Sequence, residues 1–411
     1  MFIKNTVQYL ALFGGTPAFA APLHVGRPNR PDKAVFMQHA DDIWESAWLT
    51  NNGPKVQAFE AALCKLLGVK HAIPVCNATI GLQIAIRALG IDSGEVIVPS
   101  FTFVATAHCL EWQGITPVFC DVDPVTHCMD PAKIEQLITP RTRAILPVHV
   151  WGNICDVAAI DAIAKKHKLK VLYDAAHAFG CDYRGKMVGG FGDAEVFSFH
   201  ATKVMNTFEG GCITTNDDEV ARVIRLMINF GFIGKDQVTH VGSNGKMSEM
   251  SAAMGLASLD ALDGFVTHNR RNYQQYRSRI AEIAGLSLVE YDESGKHNFH
   301  YIIVKVAEDA GISRDTIVRV LEAENVLARR YFYPGCHRME PYCSLYPNAG
   351  MLLPETEKLT DVLLCLPNST ATTKVDIDNI CWLLAYVLTE GRVISNRDIK
   401  RGLNRDTLLI E

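Results

Sequence analysis

Short apolar runs alternate with amphipathic stretches along the first half of the chain. The apolar runs are short enough for buried strands and fall at residues 71–75, 95–98, 116–120 and 144–150. Between them, apolar residues recur three or four positions apart, which predicts helices at residues 79–89, 102–112, 131–137 and 157–166. Two earlier helices are predicted at residues 34–48 and 56–67. This alternation predicts a mainly parallel sheet covered on both faces.

The alternation stops after residue 215. Helices are predicted at residues 218–228, 247–261, 268–284, 314–324 and 375–388, with a strand at residues 299–306. This pattern predicts a smaller α+β domain that follows a large α/β domain. The expected limits are residues 1–265 for the large domain with its N-terminal arm, 266–390 for the small domain and 391–411 for a polar tail.

Composition narrows the possible functions. The 411 residues suffice for two or three domains, and 40 basic against 45 acidic residues give a net charge of −5. This balance predicts neither nucleic acid nor an anionic membrane as a partner. The twelve cysteines form no Cys-x-x-Cys pair and mostly lie in apolar runs, which predicts reduced thiols in a cytoplasmic protein and no metal site.

The N-terminus imitates a signal peptide. Lys4 precedes an apolar run that ends in Ala-Phe-Ala at residues 18–20, as a cleavage site would. The run is short, however, and two glycines and a proline interrupt it at residues 14–17. No apolar segment approaches the roughly 20 residues that a membrane-spanning helix needs. We therefore expect a protein that is neither secreted nor embedded in a membrane.

One lysine stands out because it lies between two apolar runs. Residues 196–199 read as a buried strand, and Lys203 follows directly; Glu-Gly-Gly at residues 209–211 then leads into the apolar run 212–215. A lysine held between buried strands is partly desolvated, which lowers its pKa and makes the amine a usable nucleophile. The ordinary alternative is a solvated surface lysine.

An aspartate stands at the end of another predicted strand. Residues 171–173 are apolar, and Asp174 follows them. In a parallel α/β sheet, ligands bind beyond the carboxyl ends of the strands. A lysine and an aspartate at two such ends meet the needs of pyridoxal phosphate: Lys203 would form the imine, and Asp174 would keep the pyridine nitrogen protonated. Both are therefore predicted catalytic residues.

Three segments together resemble the fold-type-I sugar aminotransferases of the DegT/StrS family. They are Tyr-Asp-Ala-Ala-His at residues 173–177, Phe-Ser-Phe-His-Ala-Thr-Lys at 197–203, and Glu-Gly-Gly at 209–211. The match runs from about residue 12 to about residue 388. It implies a pyridoxal-phosphate-dependent transaminase with a mostly parallel sheet of the seven-stranded type in its large domain.

The resemblance also assigns a phosphate site. Asn77, Ala78 and Thr79 open a helix directly after a strand, where free N–H groups and the helix dipole suit an anion. The family has Ser-Gly-Thr or a similar sequence there, and an ordinary N-cap is the alternative interpretation. Ser198 resembles the serine that binds the cofactor phosphate.

Two further residues are assigned to the pyridine ring. The family uses an aromatic side chain to stack on the ring, and Phe103 fits that position; a core phenylalanine is the alternative. His177 lies one turn past Asp174 and, by the resemblance, approaches the phenolic oxygen. A structural histidine is the ordinary interpretation of His177 taken alone.

Two segments resemble those that the partner subunit contributes in this family. Asn229 is expected to reach the partner's cofactor, and Asn244 and Lys246 its substrate. The resemblance therefore implies a homodimer with shared active sites. The alternative is a pair of polar surface loops.

The loop at residues 329–337 resembles the family's substrate-facing loop, and it supplies Arg330, Tyr331 and His337 as candidate substrate-binding residues. With residues 26–30 and 148–152, this loop resembles the subgroup of the desosamine pathway most closely. That subgroup moves an amino group, with L-glutamate as the expected donor, to C4 of dTDP-4-keto-6-deoxyglucose and forms dTDP-4-amino-4,6-dideoxyglucose.

Two alternatives remain open. A related enzyme of the same family aminates C3 of a 3-keto sugar nucleotide, and a non-catalytic binding or regulatory protein could use the same fold. A related dehydratase has histidine in place of the imine-forming lysine, so Lys203 argues against that activity.

Overall fold

The computed structural model describes residues 4–398. Its centre is a seven-stranded sheet, with strands in the order His71–Val75, Gly211–Thr215, Ala194–Ser198, Lys170–Asp174, Thr142–Ile145, Glu95–Pro99 and Thr116–Cys120. The strand Gly211–Thr215 is antiparallel to both of its neighbours, and the other pairs are parallel. The predicted fold class, a mostly parallel α/β sheet between helices, is confirmed.

Helices cover both faces of this sheet. One face packs against Ala78–Ala88, Ala105–Glu111 and Asp218–Met227. The other packs against Pro54–Leu67, Val157–His167 and Glu249–Asp260. Alternate strand residues enter the two layers, as the period of two in a strand requires: Ile73 and Val75 face one layer, and Ala72 faces the other. Lys33–Ser46 and Pro131–Ile134 complete the helices of this part.

A second, smaller sheet follows in the C-terminal part. It is antiparallel, with strands in the order Leu286–Leu288, Ile302–Val306 and Leu363–Leu366. Its helices are Leu262–Ile280, Arg314–Ala323, Tyr342–Leu345, Pro354–Val362 and Lys374–Thr389. The helix Leu262–Ile280 runs through the expected limit at residue 265, and the domain limits stay a prediction.

The described chain continues past residue 390, and Ile394 is buried in the core. Residues 399–411 of the expected polar tail lie outside the described residues. None of the helices within residues 4–398 is both long and apolar enough to cross a membrane.

The N-terminal arm packs onto the C-terminal part. Lys4 pairs with the fully buried Glu324 at 3.1 Å, and the strand Leu23–His24 pairs with Val326–Leu327 in parallel. The arm then passes very close to the loop that carries Lys203, since a Cβ at Gly26 would lie 2.8 Å from Cβ of Thr202. The arm therefore forms part of the surroundings of that loop.

Two predicted strands are shorter than expected. The strand predicted at 144–150 is Thr142–Ile145, because Pro147 has no N–H for the ladder; a single bridge between Val148 and Asp174 follows. The strand predicted at 299–306 begins at Ile302, because Phe299 has a φ of 50°, outside the extended region.

Candidate active site

A cavity of about 330 Å³ lies at the carboxyl ends of the parallel strands. The strands Lys170–Asp174 and Ala194–Ser198 end in its wall. The predicted site residues that line it are Asn77, Ala78, Thr79, Phe103, Asp174, His177, Ser198, Lys203 and Tyr331. Most of the residues assigned to the cofactor from sequence therefore lie together in one cavity.

Asp174 is a buried carboxylate with two hydrogen-bond donors. The hydroxyl of Thr106 donates to Oδ2 at 2.8 Å, and the N–H of Ala176 donates to Oδ1 at 3.1 Å. Burial raises the pKa of Asp174, while these two hydrogen bonds and the charge of Lys203 oppose the rise. A buried carboxylate of this kind is suited to pair with a protonated ring nitrogen.

Lys203 projects its amine into the same cavity. A tight turn follows the strand Ala194–Ser198, and the N–H of Lys203 donates to the carbonyl of His200 at 2.9 Å. Nζ donates to the hydroxyl of Tyr301 at 3.3 Å. Lys203 is half-buried in the cavity wall, and this burial lowers the pKa of Lys203 to about 8, against the charge of Asp174. Part of the amine is therefore neutral near neutral pH.

His177 presents a neutral imidazole to the cavity. The N–H of Trp151 donates to Nδ1 at 3.2 Å, so the neutral ring carries its hydrogen on Nε2. Burial, aided by the charge of Lys203, lowers the pKa of His177 well below its ordinary value. The ring stacks on Trp151 and on Phe332, each with centroids 5.8 Å apart. The Nε2–H group is thereby fixed as a donor for an anionic oxygen.

The start of the helix Ala78–Ala88 offers free N–H groups at the cavity wall. Asn77 caps the helix, and its Oδ1 accepts the N–H of Ile80 at 2.9 Å. Within residues 4–398, the N–H groups of Ala78 and Thr79 have no protein acceptor. Gly211 permits the close approach of its strand, since a Cβ there would lie 2.8 Å from the nitrogen of Ala78. This helix end is suited to a dianionic phosphate.

Phe103 lies in the turn before the helix Ala105–Glu111 and is 60 % exposed. This exposure argues against the core alternative weighed for Phe103. Its ring is open to the cavity, where a planar ligand can stack on it.

Three predicted residues lie outside the cavity of their own chain. Nζ of Lys246 donates to Oδ1 of Asn229 at 2.7 Å and lies 5.1 Å from the ring centre of Phe230. Asn229 and Asn244 are joined by an isolated β-bridge. A single chain therefore forms only part of the predicted site.

Two residues of the predicted substrate loop also lie elsewhere. Arg330 forms an ion pair with Asp315 at 3.2 Å, and it does not line the cavity. His337 is buried, with Ser100 2.7 Å from Nδ1 and Glu357 2.7 Å from Nε2. These contacts turn both side chains away from the cavity.

Three residues of the site were not singled out from sequence. Arg329 lines the cavity in place of Arg330, and its guanidinium has no carboxylate partner within residues 4–398. Thr106 and Tyr301 contact Asp174 and Lys203 directly. The hydroxyls of Thr102 and Thr106 lie 2.8 Å apart. The spacing of four residues between these two threonines was the feature of the sequence that could have indicated Thr106. No feature of the sequence around Tyr301 indicated that it lies in the site.

Comparisons with known proteins agree with this geometry. The sequence profile of the DegT/DnrJ/EryC1/StrS aminotransferase family matches residues 31–385. A dTDP-4-amino-4,6-dideoxy-D-glucose transaminase of Shigella dysenteriae is 43% identical over 348 residues, which cover 84% of this chain and 94% of that protein. A GDP-perosamine synthase of Caulobacter vibrioides is 38% identical over 357 residues, covering 84% of this chain and 94% of that protein.

A solved structure gives a close match of the fold. DesI, crystallised in the presence of its TDP-sugar product, is 45% identical and superposes with a TM-score of 0.91. The match covers 96% of this chain and 100% of that chain.

Proposed function

Because the chain belongs to the DegT/DnrJ/EryC1/StrS aminotransferase family, we propose that it transfers an amino group from L-glutamate to C4 of dTDP-4-keto-6-deoxyglucose, which gives dTDP-4-amino-4,6-dideoxyglucose. The names of the S. dysenteriae transaminase and of DesI with its TDP-sugar product support the choice of substrate. The observation that carries the proposal is the meeting of a buried carboxylate, Asp174, and an amine with a lowered pKa, Lys203, in one cavity.

The residues of the cavity fit pyridoxal 5′-phosphate, the cofactor on which this family depends. The free N–H groups of Ala78 and Thr79 and the hydroxyl of Ser198 would hold the phosphate. Asp174 would pair with the ring nitrogen, and the amine of Lys203 would attach the cofactor covalently. When bound, the cofactor supplies an electron sink that stabilises negative charge on the α-carbon of the amino donor.

Lys203 is the proton carrier of the proposed reaction. A pKa of about 8 leaves about a quarter of the amine neutral at pH 7.5. Neutral Nζ can remove the proton from the α-carbon of the donor, and the ammonium can return a proton. The hydroxyl of Tyr301, 3.3 Å away, offers Nζ a hydrogen-bond partner while it faces the cavity.

A homodimer with shared sites forms part of the proposal. Large apolar side chains are exposed within residues 35–49 and 230–241, among them Trp44 at 85 % and Val241 at 93 %. The Asn229–Lys246 pair adjoins the second of these segments. A second copy that covers the second segment would bury its apolar side chains and bring Asn229 and Lys246 to the partner's cavity.

The acceptor carbon can be tested by running the reaction backwards with 2-oxoglutarate. dTDP-4-amino-4,6-dideoxyglucose and its 3-amino isomer are offered separately, and formation of glutamate is measured. We expect consumption of the 4-amino sugar, while Lys203→Ala should consume neither. Consumption of the 3-amino sugar alone would exclude the C4 assignment and favour the C3 alternative.

The nucleotide is tested in the same assay. The GDP-perosamine synthase of C. vibrioides is a relative of similar identity, so a GDP-linked 4-amino sugar is a useful competitor. Preference for the GDP sugar over the dTDP sugar would exclude dTDP as the natural nucleotide while leaving amino transfer in place.

A further inference from the structure

Buried side chains from outside the loop hold the backbone on both sides of Lys203. His300 donates from Nε2 to the carbonyl of Thr202 at 2.8 Å. Asn29 donates from Nδ2 to the carbonyl of Val204 at 3.0 Å. Asn29 is fully buried and His300 nearly so, so water has little access to replace either bond. The carbonyls of the two residues that flank Lys203 are therefore both fixed.

Asn29 connects three separate parts of the chain. It belongs to the N-terminal arm, and its Oδ1 accepts the N–H of Thr370 from the C-terminal part at 2.8 Å. Residues 199–210 join two strands and carry Lys203, and we call them the lysine loop. Within this loop, Nδ2 of Asn206 donates to the carbonyl of Asn29 at 2.8 Å. The arm, the lysine loop and the C-terminal part are thus joined by hydrogen bonds to one buried residue, Asn29.

His300 belongs to a segment with a strained backbone. Phe299 adopts a φ of 50°, in the left-handed region that bulky residues rarely occupy. Nδ2 of Asn368 donates to the carbonyls of Phe299 and His300, at 2.7 and 3.2 Å, and supports this conformation. The next residue, Tyr301, reaches Nζ of Lys203. Strain that its surroundings maintain beside a catalytic group points to a positioning role.

The imidazole of His300 acts as a neutral donor. Burial lowers its pKa to about 4, and the charge of Lys203 acts in the same direction. Its other nitrogen, Nδ1, is buried without a hydrogen-bond partner within residues 4–398. Buried polar atoms are normally paired, so packing alone does not explain a histidine here. The bond to Thr202 is the one specific interaction that its ring nitrogens make in the described chain.

We propose that His300 and Asn29 are positioning residues that hold Lys203 through the carbonyls of Thr202 and Val204. With both carbonyls fixed, the amine stays beside Tyr301, where burial lowers its pKa. The inference rests on the proposed role of Lys203. It nevertheless concerns a property of the amine that can be measured without turnover.

The test replaces each donor and measures the pKa of the Lys203 amine. His300→Leu and Asn29→Leu each remove one donor at similar side-chain size, and Asn29→Leu also removes the acceptor of the Thr370 N–H. In cofactor-free, full-length protein, the rate at which a small amine reagent labels Lys203 is followed against pH by mass spectrometry. We expect each variant to admit water to the amine, which raises its pKa by about 0.5–1 unit, and kcat of the cofactor-loaded protein to fall about tenfold. His300→Gln keeps a donor, so its Lys203 pKa and its kcat should both stay close to those of the parent.

Tyr276→Phe is the matched control. It removes a buried hydrogen bond of 3.0 Å to the carbonyl of Pro367, next to Asn368, and leaves the bonds to the carbonyls of Thr202 and Val204 in place. We expect it to lower stability without changing the pKa of Lys203. The proposal is overturned if the leucine variants that fold change that pKa and kcat no more than Tyr276→Phe does; should His300→Leu not fold, Asn29→Leu decides. A variant-dependent pKa in a protein without transaminase activity would support the positioning role of His300 and Asn29 and reject the proposed function.

Discussion

Replacing Thr106 with valine tests how a buried Asp174 is kept charged. Valine has nearly the shape of threonine but no hydroxyl, so the change removes the donor that lies 2.8 Å from Oδ2. Thr106 is 0% and Asp174 6% exposed, so water cannot readily replace the lost bond. A hydrogen bond to a charged group contributes about 1.5–3 kcal/mol. The loss therefore raises the pKa of Asp174 further.

The sign of this shift predicts a pH dependence. Burial raises the pKa of Asp174 above its unfolded value of 3.8, and the Thr106 bond opposes that rise. A carboxyl whose folded pKa is raised favours the folded state when protonated, and this contribution is lost as pH rises from 3.8 through the folded pKa. Thr106→Val should therefore be less stable than the parent at neutral pH, and the difference should shrink as pH falls through the folded pKa values of the two proteins, both of which lie above the unfolded value.

The assay is kcat/KM measured from about pH 5 to about pH 9. We expect Thr106→Val to lose about 10- to 100-fold at neutral pH, with the acid limb of the profile moved to higher pH. Thr106→Ser keeps the hydroxyl and serves as the control, with a profile close to that of the parent. Coincident profiles for the two variants would refute the view that Thr106 holds Asp174 in its charged form.

Two further predictions concern the mouth of the cavity and the second subunit. Arg329→Ala should raise KM for an anionic substrate by about 10- to 100-fold. Arg330→Ala, which breaks a surface pair with Asp315, should change that KM by roughly twofold. Steady-state kinetics in which glutamate and sugar nucleotide are varied separately measures both values, and equal effects of the two variants would contradict the assignment of Arg329. Mixing inactive Lys203→Ala with a variant that combines Asn229→Ala and Lys246→Ala should recover activity in heterodimers, which would hold one intact site, and failure despite proven subunit exchange would count against shared sites.

The parts of the site that follow regular periodicity could be read from the sequence. Asp174 and Ser198 end buried strands, and Asn77 caps a helix directly after a strand. In a mostly parallel sheet such ends meet at one edge, so their neighbourhood followed from the strand pattern alone. Pro147 lies within a predicted strand, and its missing N–H was a visible reason to end that strand earlier.

The parts that depend on irregular segments could not be read. Arg329 and Arg330 are neighbours outside any predicted element, so no period indicated which of them faces the cavity. Tyr301 and His300 lie 98 positions from the residues of the lysine loop that they contact, and Asn29 lies 175 positions from Val204. Contacts of this range depend on how the arm and the C-terminal part pack, which local patterns do not encode.

The central claim is that Lys203 carries pyridoxal phosphate covalently in this cavity. The most direct measurement reduces the cofactor-loaded protein with borohydride, digests it and locates the modified peptide by mass spectrometry. The account predicts loss of the visible absorbance band, a pyridoxyl group on the peptide that contains Lys203 and no such label in Lys203→Ala. A label on a different lysine, or a fully active Lys203→Ala protein, would contradict it.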